Sequence, residues 1–326
     1  MKGIIINADD FGPSGFINRG IIRAIENDLV NSVSAIVTFG EESHENIYEL
    51  HKSYGNSVAI GLHLALTAGW PVHRPLSEVS SLCPNISRSG EHYFWSFNKI
   101  KLHKIKMEEV ELELNAQIKL LGKILGGTDK IDHVNVHHNI LNFYDPFWNK
   151  VRQLLEYYKL PYRNPLSSKH KKKLSRQGVL PIEKYALKEG WRTMMKNTNS
   201  LYQLLKGTRG NHLRKVENEA IISGVPLPSY YISEYYGQPG VHHIEAILKA
   251  INDGETAEFM LHLGHEIDPG ENLWGIDKKY YPMREQELYH LENSGLNDLM
   301  KQYGVSKTFY PKYGQSLVSG EFDIAV

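Results

Sequence analysis

The stretch "IIINADDFG", Ile4 to Gly12, decides how this chain is read. Ile4, Ile5 and Ile6 are β-branched and suit a buried strand, yet the run ends abruptly in Asp9 and Asp10. Carboxylates beside a core are costly unless a cation meets them. The strand reading therefore demands a positive partner from elsewhere in the chain. Successive side chains on a regular strand face opposite ways, so both aspartates can serve one site only if the backbone bends between them. Gly12 would permit the turn that follows. A plainer role for the pair is to cap a helix beginning near Ser14.

The bulk numbers narrow the classes. A chain of 326 residues with 41% apolar and 23% charged side chains is ordinary for a soluble globular protein. Lys plus Arg equals Asp plus Glu, at 37 each, so no global charge argues for nucleic acid or membrane as a partner. The single cysteine, Cys83, excludes an internal disulfide and a cysteine-built zinc site. Sixteen histidines leave a His/carboxylate metal site open. No secretory leader pattern or transmembrane-length apolar run is seen, and a cytoplasmic protein is the expectation.

Outward from the first strand, strands and helices alternate. "SGFINRGIIRAIEND" carries Ile17, Ile21, Ile22 and Ile25 near a 3.6 period and reads as a helix. "VSAIVTFG" and "SVAIGLHLALT" read as strands, with the helix "EESHENIYELHKSYG" between them. A helix is expected from about Met107 to Leu125, with Leu114, Ile118, Leu121 and Leu125 on one stripe. "KIDHVNVHHNI" reads as a strand, and "DPFWNKVRQLLEYYKL" as a helix with Asp145 as its cap and Pro146 in first place. A helix "VHHIEAILKAIND", a strand "EFMLHLGHE", a helix containing "EQELYHLEN" and a strand "VSKTFY" complete the pattern. The rhythm predicts an α/β fold, an irregular (β/α) TIM-like barrel, in a single domain over 1–326. A basic stretch breaks it, and is expected to be a solvated helical insertion over about 167–225.

Polar groups recur where these strands end: Asp9 and Asp10, His63 in "GLHL", His137 in "HVNVHHN" and His262 in "FMLHLG". In a β/α barrel such positions converge on one face. Period two places His133, Asn135, His137 and Asn139 on one side of their strand, and Val134, Val136 and Ile140 on the other. Each histidine alone reads more readily as a hydrogen-bonded core residue. Four such endings together point to a site, and a carboxylate with two imidazoles makes a divalent-metal triad that supplies the missing cation.

The chain resembles the YdjC-like carbohydrate deacetylases, a family that includes chitin-oligosaccharide deacetylases. The likeness lies in "NADDFG" with "INRGIIRAIEN", in "GLHLALTAGWPV", "ELNAQI" and "YRNP", and in "EFMLHLG" and "REQELYHLENSGL". It implies a metal-dependent hydrolase that removes N-acetyl groups from an amino-sugar or short oligosaccharide, using water activated by the metal. It implies that Asp10, His63 and His137 hold the ion, magnesium first and zinc second. Asp9 would be the base, His262 the acid, and Arg163 would orient the base. Where the family's central motif reads Thr-His-x-Asp-Ser-His-x-His, residues 132–139 read "DHVNVHHN", so Asn135, Val136 and Asn139 depart from it. Asn135 would support the ligand shell more weakly than an aspartate. A shifted register would make His138 the ligand instead of His137. In the late motif Leu263 stands for a proline.

Trp70 and the aromatics of "YYISEYYGQ", 230–238, read equally as sugar platforms or as packing. Competing functions are phosphoester cleavage at the same metal, motivated by the basic stretch, and a carbohydrate-binding protein with a decayed site, motivated by "DHVNVHHN". The remaining partner state to expect is a homodimer, the commonest assembly.

Overall fold

Strand formation follows the apolar runs. The computed structural model describes residues 1–86, 92–165, 174, 192, 195–196, 200–233, 235, 240–271 and 280–314. In chain order the elements are β1 (Lys2–Phe11), α1 (Gly15–Glu26), β2 (Ser32–Ala35), α2 (Glu41–Tyr54), β3 (Ala59–Leu64), β4 (Asn85–Ile86), β5 (His92–Tyr93), α3 (Met107–Leu125), β6 (Val134–Val136), α4 (Ile140–Phe143) and α5 (Asp145–Tyr158). They continue as α6 (Leu201–Gly207), α7 (Gly210–Ile222), β7 (Tyr230–Ile232), α8 (Val241–Ala250), β8 (Thr256–Leu261), α9 (Tyr281–Glu292), α10 (Leu296–Tyr303) and β9 (Val305–Lys307).

Seven of the strands form one sheet in the order β6-β3-β2-β1-β8-β7, with β9 beside the start of β1. Every pairing in it is parallel. β4 and β5 form a separate antiparallel ribbon. The sheet curls into a half barrel and does not close as a complete ring of strands among the described residues. Residues 161–163 partly bridge the gap. Val134 N–H donates to Pro161 O at 2.9 Å, Arg163 N–H to Val134 O at 3.0 Å, and Tyr162 N–H to Pro226 O at 2.9 Å. The expected barrel is thus corrected to an open, curled one, with an irregular segment where a further strand would pair. No helix among the described residues is long and apolar enough to cross a membrane.

The two faces of the sheet differ in chemistry, as period two requires. Ile4, Ile6, Ala8, Val33, Leu62, Val134 and Val136 belong to the main apolar core under the helices. The intervening Asn7, Asp9, Ser32, Ser34, His63, Asn135 and Glu258 are also buried, but they line the inside of the curl. Burying so many polar groups requires that they satisfy one another. α3 runs over the predicted range, with its whole apolar stripe buried, and ends at Gly126 in the left-handed conformation. Two polar residues of the same helix are buried for another purpose. Glu113 accepts the backbone N–H of Val72 (3.1 Å) and His73 (2.9 Å), and Gln117 clamps the backbone of Ala65. They fix the loop that follows β3.

Several sequence expectations need correction. The strand expected over "KIDHVNVHHNI" shrinks to β6, because His138 and Asn139 adopt positive φ values of 57° and 55° and turn the chain out of the sheet. Asp145 is the first residue of α5 and makes no capping bond; it pairs with Lys215 Nζ at 2.7 Å. Tyr230, Tyr231 and Tyr235 are buried, two of them in β7, so at these positions packing replaces the sugar platform. Most of the expected insertion over 167–225 lies outside the described residues; α6 and α7, in its later part, are helical.

Candidate active site

The site begins with the bend at the end of β1. Its register against β2 shifts between Ala8 and Phe11, and Asp10 sits at φ 74°. The expected break between the two aspartates is therefore present. Gly12 follows at φ 122°, and a Cβ there would lie 2.4 Å from Ser43 Oγ and 2.9 Å from the Ile36 carbonyl oxygen. Only glycine fits. Neither aspartate caps α1, whose cap residue is Ser14.

Asp10 projects toward the ends of β3 and β6. Its Oδ1 lies 3.3 Å from His63 Nε2 and 3.2 Å from His137 Nδ1. One ligand atom from each residue falls within 4.8 Å of the others. Asp10 Oδ1 is buried and makes no hydrogen bond among the described residues. The neighbouring amide accounts for that. Asn135 Nδ2 donates to Ser34 Oγ at 2.7 Å and reaches Asp9 Oδ1 at 3.3 Å, where a carboxylate can only accept. Asn135 Oδ1 is thereby turned to His63 Nδ1, 2.6 Å away, and accepts a hydrogen bond from its N–H. Burial lowers the His63 pKa, but the Asp9 and Asp10 carboxylates outweigh it and raise it, so His63 Nε2 and Asp10 Oδ1 together attract a positive charge between them. A proton or a metal ion between these atoms satisfies the contact, and an Asp/His/His donor set suits a divalent ion. The residues fit a metal.

The other Asp10 oxygen faces away from that cluster. Oδ2 receives Arg284 Nη2, from α9, and lies 3.9 Å from His262 Nε2. Burial opposes the Asp10 charge, but Arg284 and the two imidazoles outweigh it and hold the carboxyl well below its ordinary range.

Asp9 points the other way, into the curl. Arg163 grips it with two parallel bonds, Nη1 to Oδ2 and Nη2 to Oδ1, each 2.8 Å. Asn7 Nδ2 adds a third at 2.7 Å. Burial disfavours the carboxylate here too, and Arg163, His63 and His262 reverse the balance, so Asp9 is ionised. The same guanidinium donates Nε to Glu258 Oε1 at 2.7 Å. One arginine thus joins two buried carboxylates from neighbouring strands, with the Tyr231 ring 5.0 Å away.

His262 follows β8. The loop beyond it packs so closely on α1 that a Cβ on Gly20 would meet the Gly264 backbone at 2.6 Å. The His262 backbone N–H donates to Glu287 Oε2 at 2.8 Å. Burial first, then Arg284, pushes the His262 imidazole down to about 4, so it is neutral at neutral pH. His138 does not join the cluster: its Nδ1 lies 3.0 Å from Thr67 Oγ1 and its ring lies tilted by 38° against that of His137. Among the described residues the cluster of possible ligand atoms contains His137 and not His138. Trp70 packs edge-on against Phe39 and Tyr93.

The structure brings Asp9, Asp10, His63, His137, Arg163 and His262 to one end of the curl. The sequence reading missed Glu258 and Arg284. Glu258 shares a strand phase with His262 in "EFMLH", and a charge in that apolar run was a readable signal. Arg284, Glu287, Leu288 and Leu291 are all buried at helical spacing, so two charges stand on an apolar stripe.

About half of the chain is similar in sequence to known proteins. A chitooligosaccharide deacetylase of Proteus mirabilis strain HI4320 is 29% identical over 177 residues, 54% of this chain and 64% of that protein. A carbohydrate deacetylase of Brevibacillus brevis strain 47 is 29% identical over 183 residues, 56% of this chain and 67% of that protein. A carbohydrate deacetylase of Halalkalibacterium halodurans is 33% identical over 168 residues, 50% and 65%. The matched part thus spans about two thirds of each of these relatives. Among solved structures, a protein of Enterococcus faecalis V583, provisionally named a cellobiose-phosphate cleavage protein, superposes with TM-score 0.64 and 23% identity, covering 94% of this chain and 97% of that one. That likeness concerns the fold. The profile of the family described as YdjC-like protein matches residues 3–302, and the chain belongs to that family.

Proposed function

We propose that the protein is a metal-dependent carbohydrate deacetylase acting on N-acetylated amino-sugars or short oligosaccharides. The observation that carries the metal centre is the buried, unbonded Oδ1 of Asp10 facing two imidazole nitrogens. The sugar and acyl group come from the relatives, three of which are named carbohydrate or chitooligosaccharide deacetylases. Asp10, His63 and His137 would hold the ion. When bound, such an ion lowers the pKa of water toward neutrality and polarises a carbonyl oxygen. Two imidazole donors of three suit a borderline ion such as zinc, beside the magnesium that the resemblance puts first.

The chain's own groups do the rest. Asp9 is ionised and held in place by Arg163 and Asn7, and it would accept a proton from the attacking water. The Arg163 contact that fixes it also holds its carboxyl low and limits its strength as a base. Glu258 anchors Arg163 from behind, so the base does not swing. His262 stands beyond Asp10 Oδ2, where it can pass a proton to the departing amine; because it starts neutral, it must first gain that proton during the cycle. The chain acts in this reading as one domain. The phosphoester alternative rested on the basic stretch, most of which lies outside the described residues.

The test is acetate release from a panel of N-acetylated mono- and oligosaccharides, with phosphosugars assayed alongside. The wild-type protein, supplied with zinc or magnesium, should release acetate. Asp9→Asn should lose at least about 10²-fold in turnover while still binding one equivalent of metal. A metal-loaded protein that releases no acetate from any member of the panel would overturn the reading.

A further inference from the structure

We infer that Arg284 is a positioning residue that restricts Asp10 to one oxygen at the metal centre and, by its charge, deliberately weakens metal binding. The inference rests on the metal-centre reading above. Asp10 divides its two oxygens: Oδ1 faces His63 and His137, whereas Oδ2 is occupied by Arg284 Nη2. A carboxylate free at both oxygens can chelate a cation; one engaged by a guanidinium offers a single donor.

Arg284 is ill-suited to a stabilising role. Its guanidinium is buried, and its Nε and Nη1 have no hydrogen-bond partner among the described residues. Leaving donors unmet in a low-dielectric site is costly. Placing the positive charge on the very carboxylate that would bind a cation adds repulsion, which water screens little at this depth. By contrast, Arg163 bonds two carboxylates with three of its nitrogens. The two arginines thus serve the adjacent aspartates in opposite ways. Arg163 fixes the base, and Arg284 limits the ligand.

The experiment titrates the metal-free wild type, Arg284→Gln and Arg284→Lys with cobalt(II), followed by visible absorbance. Losing the charge should tighten cobalt binding by about tenfold. It should also weaken the visible band per bound ion, as Asp10 lends both oxygens and the coordination number rises. Arg284→Lys keeps the charge, so its affinity should stay within about threefold of wild type. It carries the test if Arg284→Gln does not fold by far-UV circular dichroism. Weaker cobalt binding by Arg284→Gln with an unchanged band would overturn the inference, since an arginine that merely props Asp10 gives that result. Binding by Arg284→Lys that tightens beyond that threefold range would overturn it too. A wild type that takes up no cobalt would overturn the metal centre itself, and this role with it.

Discussion

Asn135 shows how one side chain can do the work of two. It stands where the family motif has an aspartate, and the sequence reading expected a weakened ligand shell. The structure gives it two tasks: its oxygen accepts the His63 Nδ1–H, and its amide nitrogen reaches Asp9 and Ser34. A carboxylate there would meet Asp9 with like charge at 3.3 Å. The amide avoids that conflict and still orients the His63 ring. This was illegible in the sequence because it depends on Asp9, Ser34 and His63 meeting across separate strands. His262 is the residue whose behaviour departs most from its assigned role. Its folded pKa of about 4 lies below the ordinary histidine value, so between those pH values the unfolded chain binds more protons. The stability contributed by a neutral His262 is complete above about pH 6.5 and is lost as pH falls toward 4. For the metal-free protein, the unfolding temperature should fall across this window. His262→Gln should blunt the loss, by up to roughly 3 kcal/mol at the acid end. Equal acid sensitivity in the two proteins would show that His262 titrates normally.

At the scale of elements, the turn from β1 into α1 sets where the chemistry sits. Asp9 was legible as an inward residue from strand period, and the bend after it from the need to serve both carboxylates. The left-handed φ of Asp10 and the closeness of Ser43 to Gly12 were not, because they arise from packing against the start of α2. Gly12→Ala should destabilise the protein by about 2–4 kcal/mol, combining an unfavourable φ with overpacking. Chemical denaturation measures this, and a loss under about 0.5 kcal/mol would mean the turn is not built as described. α3 was legible to its end residues because its apolar stripe is continuous, whereas β6 was over-extended. Alternation in "HVNVHHN" continues past the point where His138 and Asn139 leave the sheet, and pattern alone carries no φ.

Across the whole molecule, the parallel α/β plan follows from the alternation of strands and helices, but the open sheet does not. Whether a curl closes depends on residues 161–163 and Pro226, which make one isolated bridge to Val134 and one further backbone bond instead of a ladder. The open form still gathers the ends of β1, β3, β6 and β8 on one side, and Arg163 reaches the interior from the irregular segment. Residues as far apart as Asp9 and Arg284 thereby share one buried set of charges. The central claim is that this convergence exists to hold a cation. Crystals grown with zinc and measured at its absorption edge test it directly. One anomalous peak bonded to Asp10 Oδ1, His63 Nε2 and His137 Nδ1 at about 2.0–2.2 Å is the predicted result. A peak elsewhere, or none with zinc in excess, would contradict the account.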